Sequence, residues 1–142
     1  MKIEEQVLSR EQMRHLQELD VDTSDASMYW VRAKRIIGKQ RNNVLDNEMG
    51  KWRLSLSKNI VHSVDWAVES VPTYTIGDLI EKLPKRIGVY YLLIDCDGIK
   101  YIRQETLFRS YFDFKDKSLV NALYSCLCWV AENHKELLEV KK

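Results

Sequence analysis

The sequence predicts a single α+β domain in which about three helices pack on a mostly antiparallel sheet. The length of 142 residues is that of one domain, and it can bury a core without a disulfide or metal. Helical and strand-like patterns follow each other in the order helix, strands, helix, strands, helix. Because the sequence contains no repeat, linker or low-complexity segment, we expect one domain over residues 1–142.

A capping box predicts where the first helix begins. The hydroxyl of Ser9 can accept from the backbone N–H of Gln12, and the Gln12 side chain can reach back to Ser9. Apolar residues then recur at three-residue spacing, which is typical of one helical face. We therefore expect a helix near 10–19, ended by the turn-forming residues 20–25.

Two segments predict a hairpin after this helix. The first begins with β-branched and aromatic residues, and the second alternates polar and apolar residues. We expect residues near 28–36 to pair with residues near 51–57. The alternation places Trp52, Leu54 and Leu56 together on the buried face.

Two stretches around this hairpin are less regular. Residues 32–50 contain two glycines and three asparagines, which indicates a strand end followed by a loop. Residues 59–71 are rich in valine, which favours a strand, but part of their spacing fits a helix. We interpret the second stretch as a weak strand or a loop.

A second capping box lies at Thr75 and Asp78. It predicts a helix near 76–83, which must stop there because Pro84 disfavours helical backbone in the residue before it.

The C-terminal half predicts a three-stranded meander and the longest helix. Strands are expected at 88–95, 99–104 and 107–114, and Asp97-Gly98 is a tight-turn signal between the first two. A helix near 118–133 has a wide apolar stripe that is typical of packing on a sheet. Its cap is Asp116 or Ser118, and residues 135–142 extend the helix or fray.

Composition indicates a cytoplasmic protein that does not enter a membrane. The N-terminus shows no apolar signal region, and the longest apolar run covers the six residues 89–94. A membrane span needs about twenty apolar residues. Three cysteines without a secretion signal are typical of reduced thiols.

No pattern in the sequence indicates an enzyme, a cofactor or a metal site. Phosphate-binding glycine loops and nucleophile motifs are missing. Cys126 and Cys128 lie two residues apart in a helix, so their thiols point to different sides and suit buried packing better than metal binding. The three histidines, His15, His62 and His134, have no ligand spacing among themselves.

The charges are distributed unevenly along the chain. The whole chain carries 22 basic and 21 acidic residues. Residues 1–31 have a net charge of −4, residues 32–58 of +6 and residues 59–142 of −1. The near-neutral total is therefore a cancellation, and it leaves room for an anionic partner at the basic segment.

The basic segment predicts a nucleic-acid site as an alternative function. Cations beside Trp30 and Trp52 suit a phosphate backbone and unstacked bases. The competing interpretation is an exposed hairpin whose charges keep it soluble and whose tryptophans turn inward. The candidate nucleic-acid-binding residues are Arg32, Lys34, Arg35, Lys39, Arg41, Lys51 and Arg53.

Three stretches carry a resemblance to a known group. They are Val7-Leu8-Ser9-x-Glu11-Gln12-Met13-x-His15-Leu16-x-Glu18-Leu19 continuing to Asp22-Thr23-Ser24-x-Ala26-Ser27-Met28, then Pro72-Thr73-x-Thr75-x-x-Asp78-Leu79-Ile80-x-x-Leu83-Pro84-Lys85, and Ala122-Leu123-Tyr124-x-x-Leu127-Cys128-Trp129-x-x-Glu132-Asn133. In these stretches the chain resembles small uncharacterised proteins of anaerobic gut bacteria, often carried by prophages or mobile elements. The resemblance is weakest over 32–70. It implies an accessory, regulatory or host-interaction role and transfers no active site.

Our first functional expectation is thus a non-enzymatic accessory protein that binds another protein. An exposed apolar patch of a few hundred Å² would favour this function. A wholly polar surface would count against it.

Overall fold

The computed structural model describes the backbone of residues 3–35, 51–56, 66–95, 98–103 and 106–138, and the side chains of 5–32, 51–56, 69–95, 98–103 and 113–138. Within these ranges the α-helices are α1 (Arg10–Glu18), α2 (Ile76–Lys82) and α3 (Leu119–Asn133). Short 3-10 helices cover Ile3–Gln6 and Lys135–Leu138.

The described strands form two antiparallel sheets, which confirms the α+β class. The first sheet has the order β2-β1-β3 and the second has the order β4-β5-β6-β7. Their bounds are β1 (Met28–Arg35), β2 (Arg53–Ser55), β3 (Trp66–Thr73), β4 (Arg86–Ile87), β5 (Tyr90–Asp95), β6 (Gly98–Arg103) and β7 (Thr106–Phe114). The order of helices and strands along the sequence predicted one sheet. That order carries no signal for the division of the strands between two sheets.

Both predicted capping boxes are present. Gln12 N donates to Ser9 Oγ at 3.1 Å, and Ser9 N donates to Gln12 Oε1 at 2.9 Å. Thr75 and Asp78 make the same reciprocal pair at 3.1 and 3.0 Å. Leu83 ends α2 with extended backbone, as expected for the residue before a proline.

The longest helix has the predicted bounds. Of the two candidate caps, Ser118 is the N-cap, and its Oγ accepts from Asn121 N at 3.4 Å. Asp116 instead accepts the backbone N–H of Ser118 at 2.9 Å. The chain after α3 forms the 3-10 helix Lys135–Leu138 instead of extending α3, and residues 139–142 lie outside the described ranges.

The predicted pairing of the first hairpin is confirmed, with one correction. β1 pairs antiparallel with β2, and Trp30 lies opposite Leu54. β2 ends at Ser55, so Leu56 no longer follows the alternation and is 78% exposed instead of buried. The segment 66–73, within or next to the ambiguous stretch, is strand β3, whereas residues 59–65 lie outside the described residues.

A second correction concerns the predicted strand 88–95. The backbone of Gly88 has φ +61°, and Ile87 pairs with Tyr90 across a two-residue turn. A positive φ suits a turn and interrupts a strand. The predicted strand is therefore a turn at Gly88 and Val89 followed by β5.

The predicted turn before β6 also depends on a glycine. Asp95 pairs with Gly98, which has φ +136°, whereas Asp97 of the predicted turn lies outside the described residues. A Cβ on Gly98 would collide with the carbonyl oxygen of Phe114, so both the conformation and the close approach require glycine.

One buried cluster joins the three helices to the inner face of the second sheet. Its fully buried members are Leu8, Met13, Leu16, Tyr74, Leu79, Ile99, Tyr101, Leu123, Cys126, Leu127 and Val130. The Tyr101 hydroxyl meets its hydrogen-bonding need inside this core by donating to Pro84 O at 2.8 Å.

Candidate functional site

The first sheet divides the predicted nucleic-acid-binding residues between its two faces. By strand alternation, positions 32 and 34 lie on the Trp30 face of β1 and position 35 lies on the Val31 face. Arg53 is opposite Val31 and so belongs to the second face. Lys51 and Arg53 are exposed, whereas Lys39 and Arg41 lie outside the described residues. The described candidates therefore do not share one face.

Trp52 is already in contact with two cations of this chain. The guanidinium carbons of Arg10 and Arg32 lie 4.3 and 4.8 Å from the centre of its ring. Arg32 also forms an ion pair with Glu69 at 2.6 Å. A base that stacked on Trp52 would have to compete with these guanidinium groups. Sequence reasoning missed Arg10, because it comes from the acidic N-terminal part of the chain.

Trp30 is held in place by its indole nitrogen. Its Nε1 donates to Leu8 O at 2.9 Å, and Thr73 Oγ1 donates to the same carbonyl oxygen at 2.7 Å. Trp30 therefore fits the inward-turned interpretation, and its ring contributes to a cleft.

This cleft has a volume of about 630 Å³ and is bounded by the N-terminal segment, α1, β1, α2 and the beginning of α3. Its size is within the range of small-molecule pockets, roughly 300–1,000 Å³. It is lined by Glu5, Val7, Ser9, Gln12, Trp30, Ile76, Lys117, Ser118, Leu119, Val120 and Asn121.

A cluster between α1 and α3 contains residue types found in nucleophilic sites. His15 Nδ1 lies 2.6 Å from Tyr124 Oη and 3.7 Å from Cys128 Sγ. Burial is the largest effect on Cys128 and raises the pKa of its thiol; burial likewise raises the pKa of Tyr124. A thiol that stays protonated at neutral pH is a poor nucleophile, so this arrangement suits helix packing.

A second polar cluster fixes residues 20–27 against α2. The Tyr74 hydroxyl is in donating distance of Asp25 Oδ1 at 2.6 Å and of Asp22 O at 2.8 Å. Lys82 Nζ donates to Asp25 Oδ2 at 3.0 Å, and the Lys82 side chain is only 5% exposed. Burial raises the pKa of Tyr74, as do the neighbouring carboxylates. These groups use one another as partners and have a structural role.

Three of the large exposed apolar side chains among the described residues lie on β5 or in the turn just before it. Val89, Tyr91 and Leu93 are 53%, 39% and 39% exposed, and we call this set the apolar face. Arg86 lies over the Tyr91 ring, 5.2 Å from its centre. Sequence reasoning missed this surface because the continuous apolar run of β5 resembles a strand buried on both sides.

Among the described residues, no three histidine, cysteine or carboxylate side chains lie close enough together to hold a metal ion. None of the described helices combines the length and the apolar character needed to cross a membrane. Comparison with protein-family models, curated proteins and solved structures finds no match.

Proposed function

We propose that this protein is a non-enzymatic accessory protein that acts by binding another protein through the apolar face. The observation that carries this proposal is that Tyr91 and Leu93 are exposed on one face of β5, with the exposed Val89 in the turn just before this strand. Single exposed apolar side chains are ordinary, but a contiguous group typically marks an interaction surface. Among the described residues, the other large exposed apolar side chains lie in separate parts of the chain; they are Leu56, Leu119 and Leu137.

The strand register places Tyr91 and Leu93 on the same face of β5, beside two basic positions and the buried Ile102. Tyr91 lies opposite Arg86 on one side and opposite Ile102 on the other, and Leu93 lies opposite Lys100. Directly opposite residues of antiparallel strands share a face. The apolar face is therefore centred on β5 and flanked by basic side chains.

The charges indicate the chemistry of the partner. Lys100 lies 3.5 Å from Asp95, so its charge is compensated within the chain. Arg86 donates from Nε to Gly88 O at 2.7 Å and contacts Tyr91, and no described carboxylate pairs with it. Arginine and tyrosine are enriched in protein interfaces. We infer a partner that presents apolar side chains next to an aspartate or glutamate.

The test compares Leu93→Ser and Tyr91→Ser with the matched control Leu56→Ser. Leu56 is exposed directly after β2 of the first sheet, so its substitution removes an exposed apolar side chain away from the apolar face. A protein captured from the native cell is identified and purified, and its dissociation constant is measured with each variant. Each substitution on the apolar face should weaken binding about tenfold or more, as central interface positions do.

Two outcomes would overturn the proposal. One is equal binding by wild type, Leu93→Ser and Leu56→Ser. The other is sedimentation showing that the apolar face joins two copies of this chain, because the partner would then be the protein itself.

Charge reversal at Arg86 should weaken the complex and reduce its salt dependence if the partner carries the expected carboxylate.

The cytoplasm is the compartment in which we place this interaction. Cys126 and Cys128 are free thiols, and reduced cysteines are typical of that compartment. An accessory role also suits the resemblance to small proteins of mobile elements, which stays a prediction. Nucleic-acid binding through the basic segment stays the alternative; the exposed side chains of Lys51 and Arg53 favour it.

A further inference from the structure

We propose that the cleft bounded by α1, β1, α2 and the beginning of α3 binds a small organic carboxylate that carries an apolar ring or chain. This site lies apart from the apolar face and does not depend on it. The inference rests on three features of the cleft: the fixed orientation of one amide, an uncompensated cation and an apolar wall.

A chain of hydrogen bonds fixes the orientation of the Asn121 amide. The backbone N–H of Ser9 can only donate, so the atom of Gln12 that faces it at 2.9 Å must be Oε1. The other end of the Gln12 amide, Nε2, then donates to Asn121 Oδ1 at 3.0 Å. The remaining Asn121 atom, Nδ2, is a donor, and no described residue accepts from it. Asn121 therefore presents N–H groups at the cleft.

The adjacent positions add further donors. Lys117 is exposed and lines the cleft, and none of the described carboxylates pairs with it. Ser118 Oγ accepts from Asn121 N at 3.4 Å, which leaves the hydroxyl hydrogen able to donate. An ammonium group and an amide N–H together match the two oxygens of a carboxylate.

The apolar wall of the cleft and Glu5 determine which group can follow the carboxylate of the ligand. Its apolar wall consists of Val7, Trp30, Ile76, Leu119 and Val120. Leu119 is 37% exposed and would be covered by an apolar group in the cleft. The carboxylate of Glu5 also lines the cleft and would repel a dianion more strongly than a monoanion. We therefore expect a monoanion with an uncharged apolar body rather than a phosphate dianion.

Phenylacetate is the probe, compared with phenethyl alcohol as its neutral counterpart and with phenylphosphonate as a dianion. Amide NMR titration of the whole protein gives the dissociation constant and locates the shifts. For a ligand of this size we expect phenylacetate to bind with a constant of about 1 mM. The alcohol and the phosphonate should each bind several-fold more weakly, with the largest phenylacetate shifts at residues 117–121.

The variants Asn121→Asp and Lys117→Gln test the two contacts. Asn121→Asp keeps the shape and the acceptor for Gln12 but replaces the donor by a negative oxygen, so phenylacetate binding should weaken about tenfold. Lys117→Gln should weaken it about threefold, because the ammonium is exposed to water. The control is Lys115→Gln, which removes an equal charge two residues away and should leave binding unchanged.

The phenethyl alcohol arm separates a binding effect from a folding effect. Its affinity should be the same for wild type and Asn121→Asp, since the apolar wall is unchanged. The proposal is overturned if phenylacetate causes no shift at residues 117–121 up to about 10 mM, ten times the expected constant. It is also overturned if alcohol and carboxylate bind equally, or if Lys115→Gln weakens binding as much as Lys117→Gln.

Discussion

The thiol of Cys126 is completely buried in the core, next to the hydroxyl of Tyr101. Burial is the largest effect on this group and raises the pKa of Cys126 from 9.0 to about 12. Burial also raises the pKa of Tyr101. Both side chains must therefore stay neutral for the core to remain packed. Cys126 thus behaves as an apolar side chain, as its place in the sequence predicts.

This pKa predicts that the protein loses stability at alkaline pH. The folded-state pKa is the higher one, so the stabilisation is complete below pH 9.0 and is lost as the pH rises toward about 12. Urea unfolding at a series of pH values should show the free energy of unfolding decreasing over this window. Cys126→Ala should show a shallower decrease, and an identical decrease in both proteins would contradict the prediction.

At the scale of elements, local signals predicted more than long-range ones. The caps at Ser9, Thr75 and Ser118 depend on residues within three positions, so the sequence shows them directly. Which face of β5 is exposed depends on the elements that pack against the other face. The continuous apolar run in the sequence does not distinguish the two faces. The contact between Arg10 and Trp52 likewise joins segments 42 positions apart, and no local spacing reports it.

Arg53, an exposed basic residue of β2, allows a test of the nucleic-acid alternative. Labelled single- and double-stranded DNA and RNA are titrated at two salt concentrations, with Arg53→Glu compared with the control Lys115→Glu. If the basic segment binds nucleic acid, the affinity should fall steeply with salt, and Arg53→Glu should weaken it more than the control. Absence of binding by the wild type at low salt would contradict this function.

At the scale of the whole molecule, polar contacts join parts of the chain whose charges differ. Asp20 of the acidic residues 1–31 pairs with Lys135 at 3.1 Å, and Arg32 of the basic segment pairs with Glu69 at 2.6 Å. The contact of Lys82 with Asp25 also joins distant segments. The uneven charge along the sequence is thus partly balanced in space. Sequence reasoning located the basic segment, but it could not show which charges are compensated.

The Asp25–Lys82 pair predicts an asymmetric effect of mutation. The Lys82 side chain is 5% exposed and that of Asp25 is 44% exposed. Asp25→Ala leaves a buried ammonium with fewer partners, and we expect it to lower the free energy of unfolding by about 1–3 kcal/mol. Lys82→Met leaves a carboxylate that water can solvate, so its cost should be smaller. Chemical denaturation of both variants checks the order, and the reverse order would contradict the burial argument.

The Asp78 carboxylate is part of the capping box of α2, and it also binds a residue outside that helix. Its oxygens accept from Thr75 N and Ser27 N, each at 3.0 Å, and from the Ser27 hydroxyl. It therefore satisfies the backbone N–H of Thr75, the N-cap of α2, and also fixes Ser27, the residue that precedes β1. An asparagine has one acceptor oxygen for these three donors, and a glutamate is one methylene longer. The choice of amino acid at this position is thus constrained by two distant parts of the chain at once, which makes it far less tolerant of substitution than an ordinary position in the first turn of a helix.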